Sequence, residues 1–457
     1  MIPPGLTAAS LAELATRGPR YTSYPPATEM RPLAPDVVRH ELEELPGEVP
    51  ASLYVHVPFC KRLCWYCGCN VIPTRDVSKG VRYVDTLATE MALLAHALGP
   101  GYPLAEIALG GGSPNFLAAD SLRTLVRSIE RSFAVEDDAR RSVELDPREA
   151  SPLQIDTLAA LGFRSLSVGV QDFALAVQDA INRHQSRVQT KWLIDYARAA
   201  GFDDVNVDIV YGLPRQSEES FAVTLDTILA LAPDRIALFG YAHLPSKLPH
   251  QALVERAGRV LDPYERATLL LLGIAKLTSA GYVHVGLDHF ARPASRLARA
   301  YSGGRLRRTF QGYVEHRSDT VLGVGTSAIS TTDTLYWQNH TELAAWEGAI
   351  AAQHLPCTRG VRLDRDDQIR RAVIQSLMCN GAVDLAAIEA DFELDAATYF
   401  AAELGALPDL GGLATYDADA RTIETSELGR LLVRNVCMVF DGYQRAAAGA
   451  LRFSSTI

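Results

Sequence analysis

Four cysteines stand within ten residues, CKRLCWYCGC from 60 to 69, in a chain that holds seven. Thiols this dense serve zinc, disulfides or an iron–sulfur cluster. A structural zinc site usually pairs two C-x-x-C knuckles a dozen or more residues apart, because four thiolates must reach tetrahedral positions without straining the backbone. Here one loop carries everything. The C-x-x-x-C-x-x-C spacing of Cys60, Cys64 and Cys67 suits a loop wrapped around a cubane, three thiolates on three irons, and so favours a 4Fe-4S cluster over zinc. The fourth iron would then be open to a ligand that is not protein. Cys69 is a fourth thiol that the spacing disfavours as a ligand. Cys357, Cys379 and Cys437 are scattered through the last third and read as small buried core residues.

The elements that must position this loop are legible as alternating short apolar runs and amphipathic stretches of helical length, the pattern of β-α units around a parallel sheet. Strands are expected at 52–57, 106–110, 142–146, 165–171, 205–211, 235–242 and 283–287, and helices at about 79–97, 119–132, 151–161, 188–200, 217–231 and 263–280. The strand ends run into HVPFC, GGGSPN, ELDPRE, GVQDF, DIVYGLP and GYAHLP, and strand C-termini of such units share one face. The candidate chemistry therefore converges on one mouth. At GGGSP the glycines would let backbone approach a ligand closely. Seven strands are too few for a closed eight-stranded barrel, so the expected fold is α/β, a partial (β/α) barrel over 51–350. Residues 1–50 read as an N-terminal arm or lid, and 351–457 as a mainly helical C-terminal domain. GVGTSA, 323–328, formally fits a dinucleotide fingerprint but lacks the β-α-β unit and acidic partner that would make it one.

Composition bounds the rest. A chain of 457 residues, 48% apolar and 21% charged, can bury a large core. A formal net charge of −10 gives no polyelectrolyte footprint, so nucleic acid is not expected as a partner. The first residues lack a basic region followed by an apolar run, and no run of about 18 apolar residues follows, so a cytoplasmic protein with no membrane span is expected. In that reducing compartment an odd, bunched set of thiols argues against a disulfide framework.

A cysteine loop after strand one and a glycine-rich motif after strand two resemble the radical S-adenosylmethionine (radical SAM) superfamily. Within it the chain resembles the oxygen-independent coproporphyrinogen III oxidases over almost its full length: GPRYTSYP (18–25), YVHVPFCKRLCWYCGCN (54–70), VELDPRE (143–149), GVQDF (169–173), VDIVYGLP (207–214), YAHLP (241–245), DHFARP (288–293), FQGY (310–313), GTSAIS (325–330), SLMCN (376–380) and GRLLVRNVCMVFD (429–441). The resemblance implies one 4Fe-4S cluster on Cys60, Cys64 and Cys67, with Cys69 not a ligand. It implies S-adenosylmethionine contacts at Tyr54, Tyr66, Gly111, Glu144 and Ile329. A second S-adenosylmethionine would meet Gly112, Ser113, Gln171, Arg183, Asp208 and Ala242. Tyr54 and His56, alternating on the first strand, are candidates for catalysis.

The implied reaction is oxidative decarboxylation of two propionates of coproporphyrinogen III to vinyl groups, giving protoporphyrinogen IX in haem biosynthesis by way of a 5′-deoxyadenosyl radical. Its partners are the tetrapyrrole, an electron donor and an electron acceptor, and the chain is expected to be a monomer. Such chemistry needs a radical because no nearby group acidifies the saturated carbon, and a side-chain base works best between matched pKa values. Four substrate carboxylates call for arginines, and Arg20, Arg148, Arg292 and Arg307 or Arg308 are candidates by location. The rival readings are a relative acting on another tetrapyrrole, as a methyltransferase or haem-opening enzyme, and a haem-binding chaperone. GGGSP replaces the usual GGGTP, and Gly240 stands where a polar residue often precedes YAHLP, which puts substrate geometry in question.

Overall fold

The computed structural model describes residues 2–310, 312–315, 318–446, 453 and 455–457. Six β-α units follow one another from residue 51. The strands are β1 (Ala51–Val57), β2 (Pro103–Gly111), β3 (Ala134–Leu145), β4 (Ser165–Gln171), β5 (Asp204–Tyr211) and β6 (Arg235–Gly240). The helices are α1 (Ser78–Leu98), α2 (Ala119–Ser132), α3 (Pro152–Ala160), α4 (Arg187–Ala199), α5 (Glu218–Leu231) and α6 (Pro263–Ser279). The strands pair in parallel and in chain order. Four helices begin at capping boxes, with Ser151, Ser186, Ser217 and Asp262 each bonding the backbone three residues on. That reciprocal bonding satisfies N–H groups the first helical turn leaves open, which is why these starts are sharp.

Alternation along each strand sorts the side chains. Leu53, Val55 and Val57 of β1 are fully buried with Val84 and Leu87 of α1, while Ser52, Tyr54 and His56 take the opposite, lumenal face. The strands that follow repeat this: Ile107 and Leu109, Leu166 and Val168, Val207 and Ile209 join the apolar layer under the helices. The lumen is left to polar side chains.

The expected seventh β-α strand needs correction. β7 (Val283–Gly286) is an edge strand, and β8 (His289–Ala291) lies between it and β6, antiparallel to both. Only a two-residue turn separates β7 from β8, too short for the crossover a parallel strand needs. A hairpin follows, β9 (Leu306–Thr309) with β10 (Gly312–Glu315). On the other edge β11 (Val321–Val324) runs parallel to β1, and β12 (Ile329–Thr331), β13 (Leu335–Asn339) and β14 (Cys357–Arg362) extend the sheet antiparallel. Arg31–Pro32 of the arm adds a last short strand, making thirteen in one sheet among the described residues. The expected division at residue 350 thus falls within this extension, and the helical series begins with α7 (Arg365–Asn380).

The C-terminal block adds α8 (Val433–Phe440) and a three-stranded sheet of Ala382–Asp384, Ala414–Asp417 and Thr422–Thr425. Residues 1–50 are more ordered than an extended arm, with helices at Ala8–Glu13 and Pro35–Glu43. Leu11, Tyr21 and Tyr24 are buried in the same core as Val373, Leu377, Val436 and Phe440. Arg434 donates to the carbonyls of Gly18 and, at 2.8 Å, Pro19. Among the described residues no helix is long and apolar enough to cross a membrane.

Candidate active site

The cysteine loop leaves β1 through Phe59–Cys60, which pairs in parallel with Ile72–Pro73. Two distant segments clamp it. Trp65 N–H donates to Ile181 O (3.0 Å) and Asn182 Nδ2 to Leu63 O (2.9 Å); His250 Nε2 reaches Cys67 O (2.8 Å) and Gln251 Nε2 reaches Tyr66 O (3.0 Å). The loop conformation is therefore imposed by the scaffold. Arg183 Nη1 and Arg148 Nη2 point at Cys64 Sγ from 3.5 and 3.6 Å, and both also hold Asp146, at 3.3 and 2.5 Å. Burial alone would raise the Asp146 carboxyl, but the two guanidiniums hold it down at about 2. Burial pushes the Cys60 thiol up to about 12, whereas a hydrogen bond from Cys69 draws Cys67 down to about 6.

This donor set fits an anionic iron–sulfur cluster. Three thiols surround the loop, two cations face one of them, and Arg183 keeps a buried Nε with no hydrogen-bond partner. No three His, Cys, Asp or Glu side chains among the described residues converge on a single ion, so the zinc alternative has no donor set. Cys69 acquires a part the spacing did not supply, as the thiol donor to Cys67.

Above the lumen, at the C-terminal ends of the strands, lies a cavity of about 900 Å³. Tyr54, His56, Gly111, Glu144, Asp208 and Ile329 all line it, as does Cys69. Tyr54 Oη lies 3.2 Å from His56 Nδ1, and His56 Nε2 lies 3.0 Å from Asn70 O. A carbonyl can only accept, so Nε2 carries the proton and Nδ1 receives the tyrosine hydroxyl. Burial lowers the His56 pKa, which keeps the ring neutral in this arrangement. Gly111 N–H donates to Glu144 Oε2 at 3.3 Å. Burial first, and then the nearby Asp208, push the Glu144 carboxyl up to about 7.

The glycine-rich turn works differently from the expectation. A Cβ on Gly111 would stand 2.7 Å from the His56 ring, one on Gly112 2.7 Å from the Pro58 backbone, and one on Gly110 3.0 Å from Glu144. These glycines make room for the chain's own side chains, and Gly111, at φ +111, also needs the left-handed freedom. Gly112, Ser113, Gln171, Arg183, Ala242 and Tyr66 are not on the wall of the 900 Å³ cavity. Ser113 donates its hydroxyl to Asn115, and Ala242 O accepts from Gln251 (3.1 Å). Gln171 adopts φ +70 beside Gly169, and Tyr66 packs against the cluster of Val177, Ile181 and Tyr241. The GVGTSA turn is gripped from α1, with Gly325 N–H on Glu90 Oε2 (2.8 Å) and Thr326 N–H on Tyr83 Oη (2.9 Å). No β-α-β unit contains it.

The candidate arginines separate sharply. Arg148 serves the thiol loop, as above. Arg292 is exposed over Tyr282, its N–H on Asp234 at the opposite end of the sheet. Arg20 pairs with Asp288 and lies over Phe239, and Arg307 reaches Asp319 at 3.4 Å. Arg308 stands apart: it is 3% exposed, lines the cavity, gives Nε to Arg20 O (3.0 Å) and leaves Nη1 buried without a partner. Of FQGY, Phe310 lines the cavity, while Gln311 lies outside the described residues. At Gly240 a Cβ would meet Tyr211 Oη at 2.9 Å, so the absent side chain is replaced there by Tyr211 and Arg266.

Sequence reasoning missed Asn182, His250 and Gln251, which act on the cysteine loop from more than 100 residues away and carry no local signal. Asp146 was within reach, since it lies in ELDPRE beside Glu144. Arg371, on the C-terminal side of the cavity, was also missed.

A second cavity of about 540 Å³ occupies the lower lumen and shares Tyr54, Glu144, Asp208 and Phe239 with the first. Its charges are matched internally. Arg140 pairs with Glu315 and, at 3.6 Å, with Glu106; Arg235 pairs with Asp204 at 2.9 Å.

A six-unit parallel barrel with a three-thiol loop after its first strand defines a radical SAM protein, and the Radical SAM superfamily model matches residues 54–228. The HemN C-terminal domain model matches residues 363–432. The chain is 42% identical to the oxygen-independent coproporphyrinogen III oxidase of Escherichia coli K12, over 96% of each chain, and 38% identical to that of Pseudomonas aeruginosa, over 93% of each. The solved structure of coproporphyrinogen III oxidase (HemN) from Escherichia coli, described as a radical SAM enzyme, superposes with a TM-score of 0.89 at 41% identity, covering 93% of this chain and 97% of that one. The chain belongs to the oxygen-independent coproporphyrinogen III oxidase family.

Proposed function

We propose that the chain decarboxylates two propionates of coproporphyrinogen III to vinyl groups without oxygen, giving protoporphyrinogen IX for haem. The observation that carries this is a single cavity that joins the thiol-loop end of the barrel to the buried, unpartnered guanidinium of Arg308. Cys60, Cys64 and Cys67 would hold the 4Fe-4S cluster, and Tyr54, Gly111, Glu144 and Ile329 would border S-adenosylmethionine. When bound, these groups supply a 5′-deoxyadenosyl radical that takes a hydrogen atom from the propionate β-carbon.

The chain's own residues do the rest. Arg183 and Arg148 balance the charge on Cys64, and Asp146 fixes both guanidiniums. Glu144 faces the cavity as an acceptor, held by Gly111 N–H. The Tyr54–His56–Asn70 chain fixes the tyrosine ring against the cavity wall. Arg308 offers Nη1 to a substrate carboxylate, with Arg371 on the same wall as a second cation. A charged hydrogen bond of this kind, away from water, orients the reacting chain. After the hydrogen atom and carbon dioxide leave, one electron must pass to an acceptor.

A second S-adenosylmethionine would sit where Gly112, Ser113, Gln171, Arg183, Asp208 and Ala242 surround the first. That reading rests on the motif match; Asp208 lines the same cavity as Glu144, and Ser113 and Cys60 border one small opening. We further read the protein as a cytoplasmic monomer in three parts, an arm to about residue 50, the barrel region and a mainly helical C-terminal domain, served by separate electron donor and acceptor.

The test is anaerobic turnover. Cluster-reconstituted protein with reductant, S-adenosylmethionine and coproporphyrinogen III is expected to yield 5′-deoxyadenosine and protoporphyrinogen IX together. Deoxyadenosine with a methylated or ring-opened tetrapyrrole would favour the rival enzymes, and tight haem binding with no deoxyadenosine would favour the chaperone.

A further inference from the structure

The cysteine loop and the segment paired with it make a basic surface on an acidic protein. Residues 60–82 hold five basic residues, Lys61, Arg62, Arg75, Lys79 and Arg82, against one acidic residue, Asp76, a local balance of +4 in a chain of formal charge −10. Arg62, Arg75 and Arg82 are exposed. So are Val77 at 61% and Val81 at 53%, one helical turn apart at the start of α1. Lys61 pairs with Glu149 at 2.6 Å, while Arg62, Arg75 and Lys79 make no ion pair among the described residues. Two apolar side chains ringed by unmatched cations are costly for a surface that meets only water.

The backbone ties this surface to the first thiol. Phe59–Cys60 and Ile72–Pro73 run parallel, and Thr74 N–H donates to Cys60 O at 2.8 Å. Beyond the pairing both segments continue in the same direction, carrying Lys61 and Arg62 out beside Thr74 and Arg75. The other side of the loop, at Gly68, Cys69 and Asn70, faces the 900 Å³ cavity. A bulky tetrapyrrole in that cavity would bar a protein from approaching there, so a macromolecular electron source must come to the outer side.

We propose that the surface formed by Arg62, Arg75, Val77, Lys79, Val81 and Arg82 docks a small acidic one-electron carrier protein, which reduces the cluster from the Cys60 side. An apolar centre with a charged rim is the anatomy of a specific interface, and electron-transfer encounters are among the smallest. Charge complementarity of this sort raises the association rate and is screened by salt. The step is a simple transfer: the carrier is oxidised by one electron, the cluster is reduced by one, and no bond forms or breaks. The inference rests on the cluster being held at Cys60, Cys64 and Cys67.

The test compares two reductants on the cluster-reconstituted protein. Loss of the cluster's visible absorbance is followed after mixing with a reduced acidic flavodoxin, or with dithionite, for the wild type and for R62E/R75E and V81D. The flavodoxin rate constant is expected to fall at least tenfold in R62E/R75E and several-fold in V81D, and in the wild type to fall as salt is raised. The dithionite rate should stay unchanged. Calorimetric binding of oxidised flavodoxin should weaken in parallel. Equal rates for wild type and variants with flavodoxin would overturn the proposal, and so would equal slowing with both reductants. A concentration-dependent dimer that R62E/R75E dissolves would overturn it as well, by giving the surface to a second copy of this chain. Turnover of the variants with dithionite at the wild-type rate preserves the cluster assignment whatever flavodoxin does, so the two readings fail separately.

Discussion

The upper and lower halves of the lumen are lined by the same strands, and both carry charge. In the lower half each cation meets a carboxylate of the protein: Arg140 lies between Glu106 and Glu315, and Arg235 bonds Asp204 and the Ser165 hydroxyl. In the upper half the cations are aimed at groups that chemistry would use. Arg148 and Arg183 reach Cys64, and Arg308 keeps a buried nitrogen unmatched. Leaving a buried charge without a partner is costly, so a fold retains one only where something else completes it. The lower network reads as scaffold and the upper one as a receptor.

Substitutions can break or sharpen this contrast, beginning with the thiols. Cys64→Ala is expected to abolish deoxyadenosine formation and lower the iron content, whereas Cys69→Ala should keep its iron; iron analysis with chromatography of the products reads both. Equal iron loss in the two would erase the distinction between ligand and donor. Next comes Arg183→Met, which leaves Asp146 buried with one cation fewer and should cost about 3–5 kcal/mol of stability in denaturant unfolding. Arg308→Met should instead raise KM for the tetrapyrrole about 10–100-fold with little loss of stability, since its Nη1 has nothing to lose within the protein. Arg140→Met should do the converse. Its partners are partly exposed, so about 1–2 kcal/mol of stability goes while KM holds.

The smallest effect concerns Glu90, buried under the Gly325 turn and facing three donors, Gly325 N–H, Asn339 Nδ2 and Trp346 Nε1. Burial pushes its carboxyl from 4.5 up to about 8. A carboxyl raised on folding binds its proton more tightly in the native state, so its contribution is full below about pH 4.5 and is lost as pH rises toward about 8. The slope is at most about 1.4 kcal/mol per pH unit. Glu90→Gln should flatten that decline in unfolding experiments across the same window. An unchanged slope would mean that the donors, not burial, set the ionisation.

Much of this was legible in the sequence, for identifiable reasons. The six β-α units announce themselves through strict alternation on the strands and capping residues such as Ser186 with Gln189. The thiol loop is local, so spacing alone narrows its chemistry. By contrast β9 to β14 are mostly three to five residues long, and their pairing depends on partners far away. The segment 283–287 has the apolar alternation of a sheet strand but goes to an antiparallel edge, because pattern does not encode partner. Arginines are the least legible of all. Arg148, Arg292 and Arg308 look alike in sequence, and only the fold shows one on a thiol, one exposed at the far end and one at the cavity wall.

The contact between Arg434 and the carbonyls of Gly18 and Pro19 fixes an order of events. A ribosome emits the arm first and residue 434 more than four hundred residues later, with the whole barrel made in between. Until then the arm lacks the partner that seats it, and Arg20, whose carbonyl supports Arg308, has no fixed place. The nascent barrel therefore stands with its mouth unwalled, so cluster insertion during synthesis would meet an open thiol loop, and the substrate chamber closes last.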